Sequence, residues 1–571
     1  MRENRSWIVL VVAATLAVAV ATSGLASKPR RVDPATLFET SDKCLGCHNG
    51  MAAANGDDVS IGTRWRSTIM AHASKDPYWQ AGVRREVLEH PKARAAIEDR
   101  CSTCHMPMAR FVQRENGKKG EVLTHVAGGI LGLGSPLAAQ VEDGVSCAVC
   151  HQLTPDGLGS AQSFDGNFTV DTRTPQNERH VFGPFRVAEG TANVMRSATG
   201  FVPTEAKHLR RSELCASCHT LYTHALDGNG KEVARLAEQV PFLEWQHSDY
   251  KDSQSCQDCH MKTSASAAPM ASVLGKPRQG VAQHLFKGGN FLLLRLLDKH
   301  RHQLGVSAVP DEMEANRKSI AEHLTGAAAL TIETGPTSLE GSQLRFAVQV
   351  ENLAGHKLPT AYPSRRVWLH VSVKDADGQV VFESGALDAN GSIRGNDNDA
   401  DPRRYEPHYR EITQSQQVQI YESIMGDPQG SVTTGLLSAA TYLKDNRVLP
   451  VGFDKTTAGA DIAVAGAARE DEDFQAGRDR VVYRVRTAGA KGPFSVTAAL
   501  WYQPIGYRWA MNLASVGGAE PSRFVAMYRA MPGRETAARL SETRASIAPP
   551  PEAPPISCWD RNEVSPQDGK K

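Results

Sequence analysis

Hydrophobic and polar positions follow two different regimes along this chain. From about residue 326 onward they alternate. Leu344, Phe346, Val348 and Val350 are interleaved with Arg345, Ala347, Gln349 and Glu351, and Val367, Leu369, Val371 and Val373 repeat the pattern. A period of two places one set of side chains on one face of an extended segment, so both stretches are predicted as half-buried strands. Asp375-Ala-Asp-Gly378 is a turn signal returning into residues 379–382 as a hairpin, and later strands are expected at 481–485 and 494–501. Strands at this spacing, separated by Gly, Asp and Asn, predict an antiparallel β-sandwich over residues 326–530.

Before residue 326 the pattern is largely irregular and rich in Gly, Pro, Asn and Asp. Trp79, Val83, Val87 and Leu88 lie at helical spacing within 77–96, and residues 291–302 open with the nearly continuous apolar run Phe291, Leu292, Leu293, Leu294, Leu296, Leu297. The first predicts a helix and the second a buried helix. A third helix, over 311–324, is expected to connect the two regimes.

Composition narrows the class. With 571 residues, 41% hydrophobic and 22% charged, the chain is ordinary globular material long enough for several cores. The 64 Lys and Arg against 63 Asp and Glu leave a formal charge of +1, which supplies no basic field for nucleic acid. At the amino terminus Arg2 and Arg5 precede an apolar run from Trp7 to Val20 and small residues up to Ser27. This reads as an export signal cleaved near Ala26 or Ser27. The other reading is a retained membrane anchor, since the weakly polar run from Trp7 to Ala26 approaches the roughly 20 residues a bilayer requires. Thr22, Ser23 and Gly24 weaken its second half and favour removal. Either way the protein is expected outside the cytoplasm, in the periplasm or at the cell surface.

Ten of the eleven cysteines fall into five identical arrangements: Cys44 and Cys47 before His48, Cys101 and Cys104 before His105, Cys147 and Cys150 before His151, Cys215 and Cys218 before His219, and Cys256 and Cys259 before His260. Two cysteines three apart can form thioethers to the two vinyl groups of one haem, and the adjacent histidine is then held beneath the iron. A redox-active CxxC or a four-cysteine zinc ribbon needs no following histidine. Five repeats of the whole pattern therefore predict five covalently bound haem c groups, each iron ligated on one side by His48, His105, His151, His219 or His260. Residues 28–310 form the expected haem-bearing unit, in which porphyrins replace much of the core, followed by a connector at 311–325.

The sixth ligand separates an electron carrier from a catalyst, because two strong-field axial ligands leave no position for substrate. His72, His247 and His284 stand beside aromatic or small residues suited to close haem packing and are the leading distal candidates. His125 and His224 come next, and His180, His208, His300, His302, His323 and His356 stay open. Met106 and Met108, directly after His105, are expected to pack rather than ligate.

Asp143-Gly-Val-Ser-Cys147-Ala-Val-Cys150-His151, Leu214-Cys215-Ala-Ser-Cys218-His219-Thr-Leu-Tyr222, and Glu244-Trp-Gln-His247 leading to Cys256-Gln-Asp-Cys259-His260-Met261 resemble the haem-packing domain of multihaem c-type cytochromes. That domain is shared by tetrahaem electron carriers and, more distantly, by multihaem nitrite reductases and hydroxylamine oxidoreductases. The resemblance spans about residues 40–300 and implies stacked, mostly bis-histidine haems acting as an electron wire. No CxxC here is followed by lysine, as at the catalytic haem of ammonia-forming nitrite reductases, and five motifs stand where the oxidoreductases usually have eight. Catalysis is not carried over.

In the strand-rich region, Asn352-Leu-Ala-Gly-His356-Lys-Leu-Pro-Thr-Ala-Tyr-Pro-Ser-Arg365-Arg366 looks like a segment accompanying the haem domain in some large multihaem cytochromes. Its His356 could reach a haem across the domain boundary, and Lys357, Arg365 and Arg366 could pair with propionates. His408 is a weaker version of the same idea. Asn396-Asp-Asn-Asp-Ala-Asp401 concentrates oxygen ligands but lacks a complete calcium loop, so a solvated acidic loop is the expectation. Residues 531–571 form a Pro-rich tail carrying the odd Cys558.

The chain is thus expected to be an α+β multidomain protein: a haem-packed, mostly helical or irregular first unit and a C-terminal antiparallel β-sandwich. Its expected work is single-electron relay between redox protein partners or a quinol-linked membrane donor and an acceptor. Two other readings remain, an oxidoreductase acting on a small nitrogen or sulfur species at one open haem, and an assembly subunit using its β domain.

Overall fold

The structure is a computed structural model describing residues 34–126, 137–335 and 338–548. The apolar amino-terminal segment, the Pro-rich run after 548 and Cys558 lie outside the described residues. The chain mixes helices with several antiparallel sheets.

The alternating half forms two sheets. In one, Arg478–Arg486 runs antiparallel to Gln343–Asn352, with Val481 opposite Val348 and Tyr483 opposite Phe346. Those two rings stack with centroids 5.2 Å apart. Ala328–Glu333 pairs on the other side of Gln343–Asn352, and the short Glu411–Ile412 joins Arg478–Arg486 in parallel. In the second sheet Arg366–Lys374 lies between Ile420–Gly426 and Phe494–Gln503. The alternation becomes burial: Leu344, Phe346, Val348 and Val350 of one sheet, and Val367, Leu369, Val371 and Val373 of the other, belong to one hydrophobic cluster. At the turn after Lys374, the Asp375 carboxylate accepts backbone N–H bonds from Asp377 and Gln379 and reverses the chain into Val380–Ser384. Beyond the expected end at residue 530, Ala538–Ile547 adds a strand against Phe494–Gln503.

In the first half, Asp76 caps the helix Pro77–Glu89 by accepting from the Tyr78 and Trp79 backbone N–H groups. The expected single helix over 77–96 is split. Pro91 has no N–H and disfavours helical geometry at His90, so a second helix starts only at Arg94 and ends at His105. The apolar run becomes Phe291–Lys299, with its phenylalanine and five leucines all buried. Pro310–Thr325 is the connecting helix.

The two halves differ in how their interiors are filled. Phe291–Lys299, the connector and both sheets share one extended cluster. Much of the first half instead packs as small separate clusters, around Phe38, Phe111 and Phe168, around Val83, Ile97 and Met106, and around Met51, Val59 and Val281. A cavity runs between them. The halves meet where Ala519–Arg529 packs on Pro77–Glu89, clamped by a bidentate Arg84–Glu520 pair at 2.8 and 3.0 Å. No helix among the described residues is long and apolar enough to cross a membrane.

Candidate haem sites

Each CxxCH motif sits in or beside a helical turn: Asp42–Leu45, Arg94–His105, Cys147–Gln152, Ser212–Ala216 and Cys256–His260. Residues i, i+3 and i+4 of such a turn share one face, so both sulfurs and the imidazole project to the same side. At the edges of this pattern the backbone stays helical, with His48 N–H donating to Cys44 O at 3.0 Å and His219 N–H to Cys215 O at 2.9 Å. None of the ten motif cysteines is paired in a disulfide.

That common face opens on the cavity. Its volume is about 1640 Å³, and its wall includes all five motif histidines and every motif cysteine except Cys47. Protein interiors pack with few voids larger than a water molecule. An aromatic-walled space of this size, bordered by four thiol pairs and by Cys44 of the remaining pair, fits large rigid apolar groups bound through sulfur.

The histidines are oriented for ligation. Nδ1 of His48 faces the Met270 carbonyl at 2.5 Å, Nδ1 of His105 that of Ala73 at 2.9 Å, and Nδ1 of His151 that of Phe182 at 2.6 Å. His260 is held in the same way by the Lys287 carbonyl. A backbone carbonyl on Nδ1 fixes ring orientation and tautomer and leaves Nε2 for a metal. Burial pushes the pKa of His105 and of His260 down to about 4, which keeps them in the neutral, ligating form. His219 also lines the cavity and is lowered by burial.

Two second imidazoles face motif histidines across a gap. His284 lies nearly parallel to His151, at 19° with ring centroids 6.3 Å apart, and His356 lies at 14° and 6.2 Å from His260. Two metal–nitrogen bonds of about 2 Å, with about 1 Å from each nitrogen to its ring centre, span roughly 6 Å. Each pair has room for one iron. His284 is buried, with its pKa driven to about 3 by desolvation.

The other candidates separate. His72 is 1% exposed, is not part of the cavity wall, and lies beside the Arg66 backbone, with neither ring nitrogen in a well-formed hydrogen bond. His224 lines the cavity on the strand Leu221–Leu226, 3.9 Å from the Glu232 carboxylate. His125 is buried in Leu123–Val126 but is not part of the cavity wall. His247 turns toward the β half instead, with Nε2 on the Asp454 carbonyl at 3.0 Å and its ring against Phe453. Met106 and Met108 are buried in separate apolar clusters.

Thiols of different motifs also meet, and this orders the motifs in space. Cys44 contacts Cys147, Cys104 contacts Cys218, and Cys215 contacts Cys256. The first motif therefore lies beside the third, and the fourth touches both the second and the fifth.

The β-half residues proposed for propionates divide in the same way. Lys357 is fully buried on Asp445, and Arg366 makes a bidentate pair with Asp399, at 2.8 and 2.9 Å, inside the sheet. Only Arg365 lines the cavity, bonded to the Thr360 carbonyl and Asn290. The Arg366 pairing also takes the best-placed carboxylate of the 396–401 loop, while Asp397 and Asp401 pair with Arg404 and Arg403. His408 is no haem candidate: Nε2 donates to Asp471 at 2.9 Å, and Nδ1 accepts from Gln419 and Asn446.

Sequence patterns did not single out Tyr78, Glu86 and Glu238 and gave Tyr362, within the Asn352–Arg366 segment, no role; all four are on the cavity wall. Desolvation raises Glu86 to about 7 and Glu238 to about 8. Around them, the Trp79 indole stacks flat on the His105 ring at 4.2 Å. No short motif marks Tyr78, Glu86 or Glu238, because residues far apart in the chain bring them together with Tyr362.

No family model matches this chain, and no curated protein matches it. Among solved structures it is similar to the crystal structure of a penta-heme cytochrome c552 from Thermochromatium tepidum, at 15% identity, covering 89% of this chain and 99% of that one with a TM-score of 0.49. At that degree of superposition nothing about this chain follows from the likeness.

Proposed function

We propose that this chain is an exported five-haem c-type cytochrome that relays single electrons between redox partners outside the cytoplasm. The observation that carries the reading is the convergence of all five CxxCH histidines on the wall of one cavity. Haem c, when bound, supplies a one-electron couple whose potential is set by its axial ligands, burial and neighbouring charge. The chain's part is to anchor each porphyrin through two sulfurs, orient the proximal ring through a backbone carbonyl, and place a second imidazole opposite, as His284 stands opposite His151. Closeness of the first motif to the third, and of the fourth to the second, third and fifth, would keep haem edges close along the path. Redox proteins or a quinol-linked membrane donor are the proposed partners.

Material from a host competent in haem attachment is expected to stain for peroxidase activity after denaturing electrophoresis and to exceed the processed chain's mass by five haems. Colourless protein of bare-chain mass refutes the reading. A second reading, an oxidoreductase for a small nitrogen or sulfur species, is favoured by the buried Glu86 and Glu238 beside the half-buried Tyr78 and Tyr362 on the cavity wall, since perturbed carboxyls in a cleft mark functional sites. Electron paramagnetic resonance of the same preparation separates the two. Low-spin irons that bind cyanide slowly support relay, and a high-spin centre that binds it at once supports catalysis.

A further inference from the structure

The loop between the strands Gln343–Asn352 and Arg366–Lys374 belongs to the β half, yet it carries His356 into the cavity, opposite His260. The ring separation and tilt, 6.2 Å and 14°, match those of the His151 and His284 pair, in which both partners lie in the first half. A second histidine, His323 of the connecting helix, also approaches His260. Its ring stands at 62° with a centroid 5.6 Å from that of His260, closer than the roughly 6 Å that two metal–nitrogen bonds and two ring radii span, whereas His356 sits at that span. His356 Nδ1 rests on the Lys357 carbonyl at 3.0 Å, leaving Nε2 unclaimed.

This loop is anchored unusually firmly for a surface connection. The Asn352 side chain donates to the His356 carbonyl at 2.8 Å and to that of Val448 at 2.9 Å. Lys357 has no exposed surface and ion-pairs with Asp445 at 2.7 Å, and Arg447 shares Asp445 while reaching Glu244 at 2.9 Å. Glu244 lies in the helix Pro241–Gln246 of the first half and accepts the Lys357 backbone N–H and the Thr360 hydroxyl. Two cations and two carboxylates, all buried, thus join the loop to the segment leading into the fifth motif. Buried charges are tolerated only with such mutual pairing, and their attested use is to fix a single register.

We propose that the β half supplies the sixth ligand of the haem at Cys256 and Cys259 through His356, and that the Lys357, Asp445, Arg447 and Glu244 network positions that ligand. The inference rests on the five-haem reading. It makes the β half part of the electron path, since the state of one iron depends on how the two halves dock.

The test uses the full-length holoprotein. His356→Ala is expected to retain haem staining, to convert one iron of five from low-spin to high-spin, and to bind cyanide at that one iron. Added imidazole restores the low-spin spectrum, and His323→Ala leaves it unchanged. Should His356→Ala not fold, His356→Met keeps a ligand and is expected to stay low-spin with one haem at higher potential. An unaltered spectrum and unaltered potentials in the His356 variants overturn the inference, as does a high-spin iron produced by His323→Ala instead. Loss of the five-haem reading would show separately, as wild-type protein that does not stain.

Discussion

At the scale of single residues, the cavity wall sets protonation. Glu238 is 4% exposed, and desolvation raises its pKa to about 8 from an unfolded value near 4.5. The folded chain then holds a proton that the unfolded chain has already lost, so stability falls as pH rises between those two values. Buried histidines act with the opposite sign below about 6.5, because the unfolded chain binds protons there that the folded one does not. The carboxyl effect therefore stands clear of them above neutrality. Between pH 7 and 8 the wild type should lose about 1 kcal/mol of stability that Glu238→Gln does not lose, less than the full value of about 1.4 kcal/mol per pH unit because the carboxyl is half ionised at its folded pKa. Denaturant unfolding of holoprotein at the two pH values measures the difference, and parallel changes in both proteins would show that Glu238 is ionised in the fold.

At the scale of elements, the network between the 353–365 loop and Pro241–Gln246 is a coupled unit. Replacing Lys357 by Met removes one of two cations and leaves Asp445 facing Arg447 alone in the interior, although that carboxylate is now held well below its usual pKa range by Arg447 and Lys357 together. Removing one partner of a buried pair typically costs about 3–5 kcal/mol. The expected result for Lys357→Met is a loss of that order in thermal or denaturant unfolding, with Lys357→Met/Asp445→Asn recovering part of it. The pattern also shows how far sequence reasoning reaches. The strands at 343–352, 366–374 and 494–503 were legible because alternation every second residue is a local signal. The five attachment motifs were legible because Cys, Cys and His must share one helical turn. The strand Ala538–Ile547 was not, because only Leu540 and Ile547 are fully buried and its other positions read as polar or small. Nor could spacing tell that His356, and not His247, faces a motif histidine. That depends on how the two halves dock, and the sequence neighbours place His247 ahead of His356. The break at Pro91 was legible in principle, since proline disfavours helix at the preceding residue.

At the scale of the whole molecule, the two halves rest on different sources of stability. The sheets bury continuous apolar faces against each other and against Phe291–Lys299. The first half sends Phe164, Tyr222, Val240 and Phe242 into that same cluster but divides much of its remaining apolar surface among small clusters around an open volume of about 1640 Å³. Without a filling group the residues lining that volume lose dispersion contacts and face either a void or water, and the small clusters offset little of the chain entropy. Binding that occurs only in the folded state stabilises that state, so folding of this half should be coupled to haem attachment. The same chain made without the attachment machinery should therefore behave as two regions. Amide hydrogen exchange is expected to show strong protection across Gln343–Asn352, Arg366–Lys374 and Phe494–Gln503, and little across the segments bearing the five motifs. In the holoprotein both regions should be protected, and the loop around His356 should gain protection along with the fifth motif. Full protection of the first half without haem would mean that its small clusters suffice and that the cavity is a property of a self-supporting fold. Exchange spread evenly over both halves without haem would mean that the sheets themselves depend on docking to the haem-bearing region, which makes the two halves one cooperative unit.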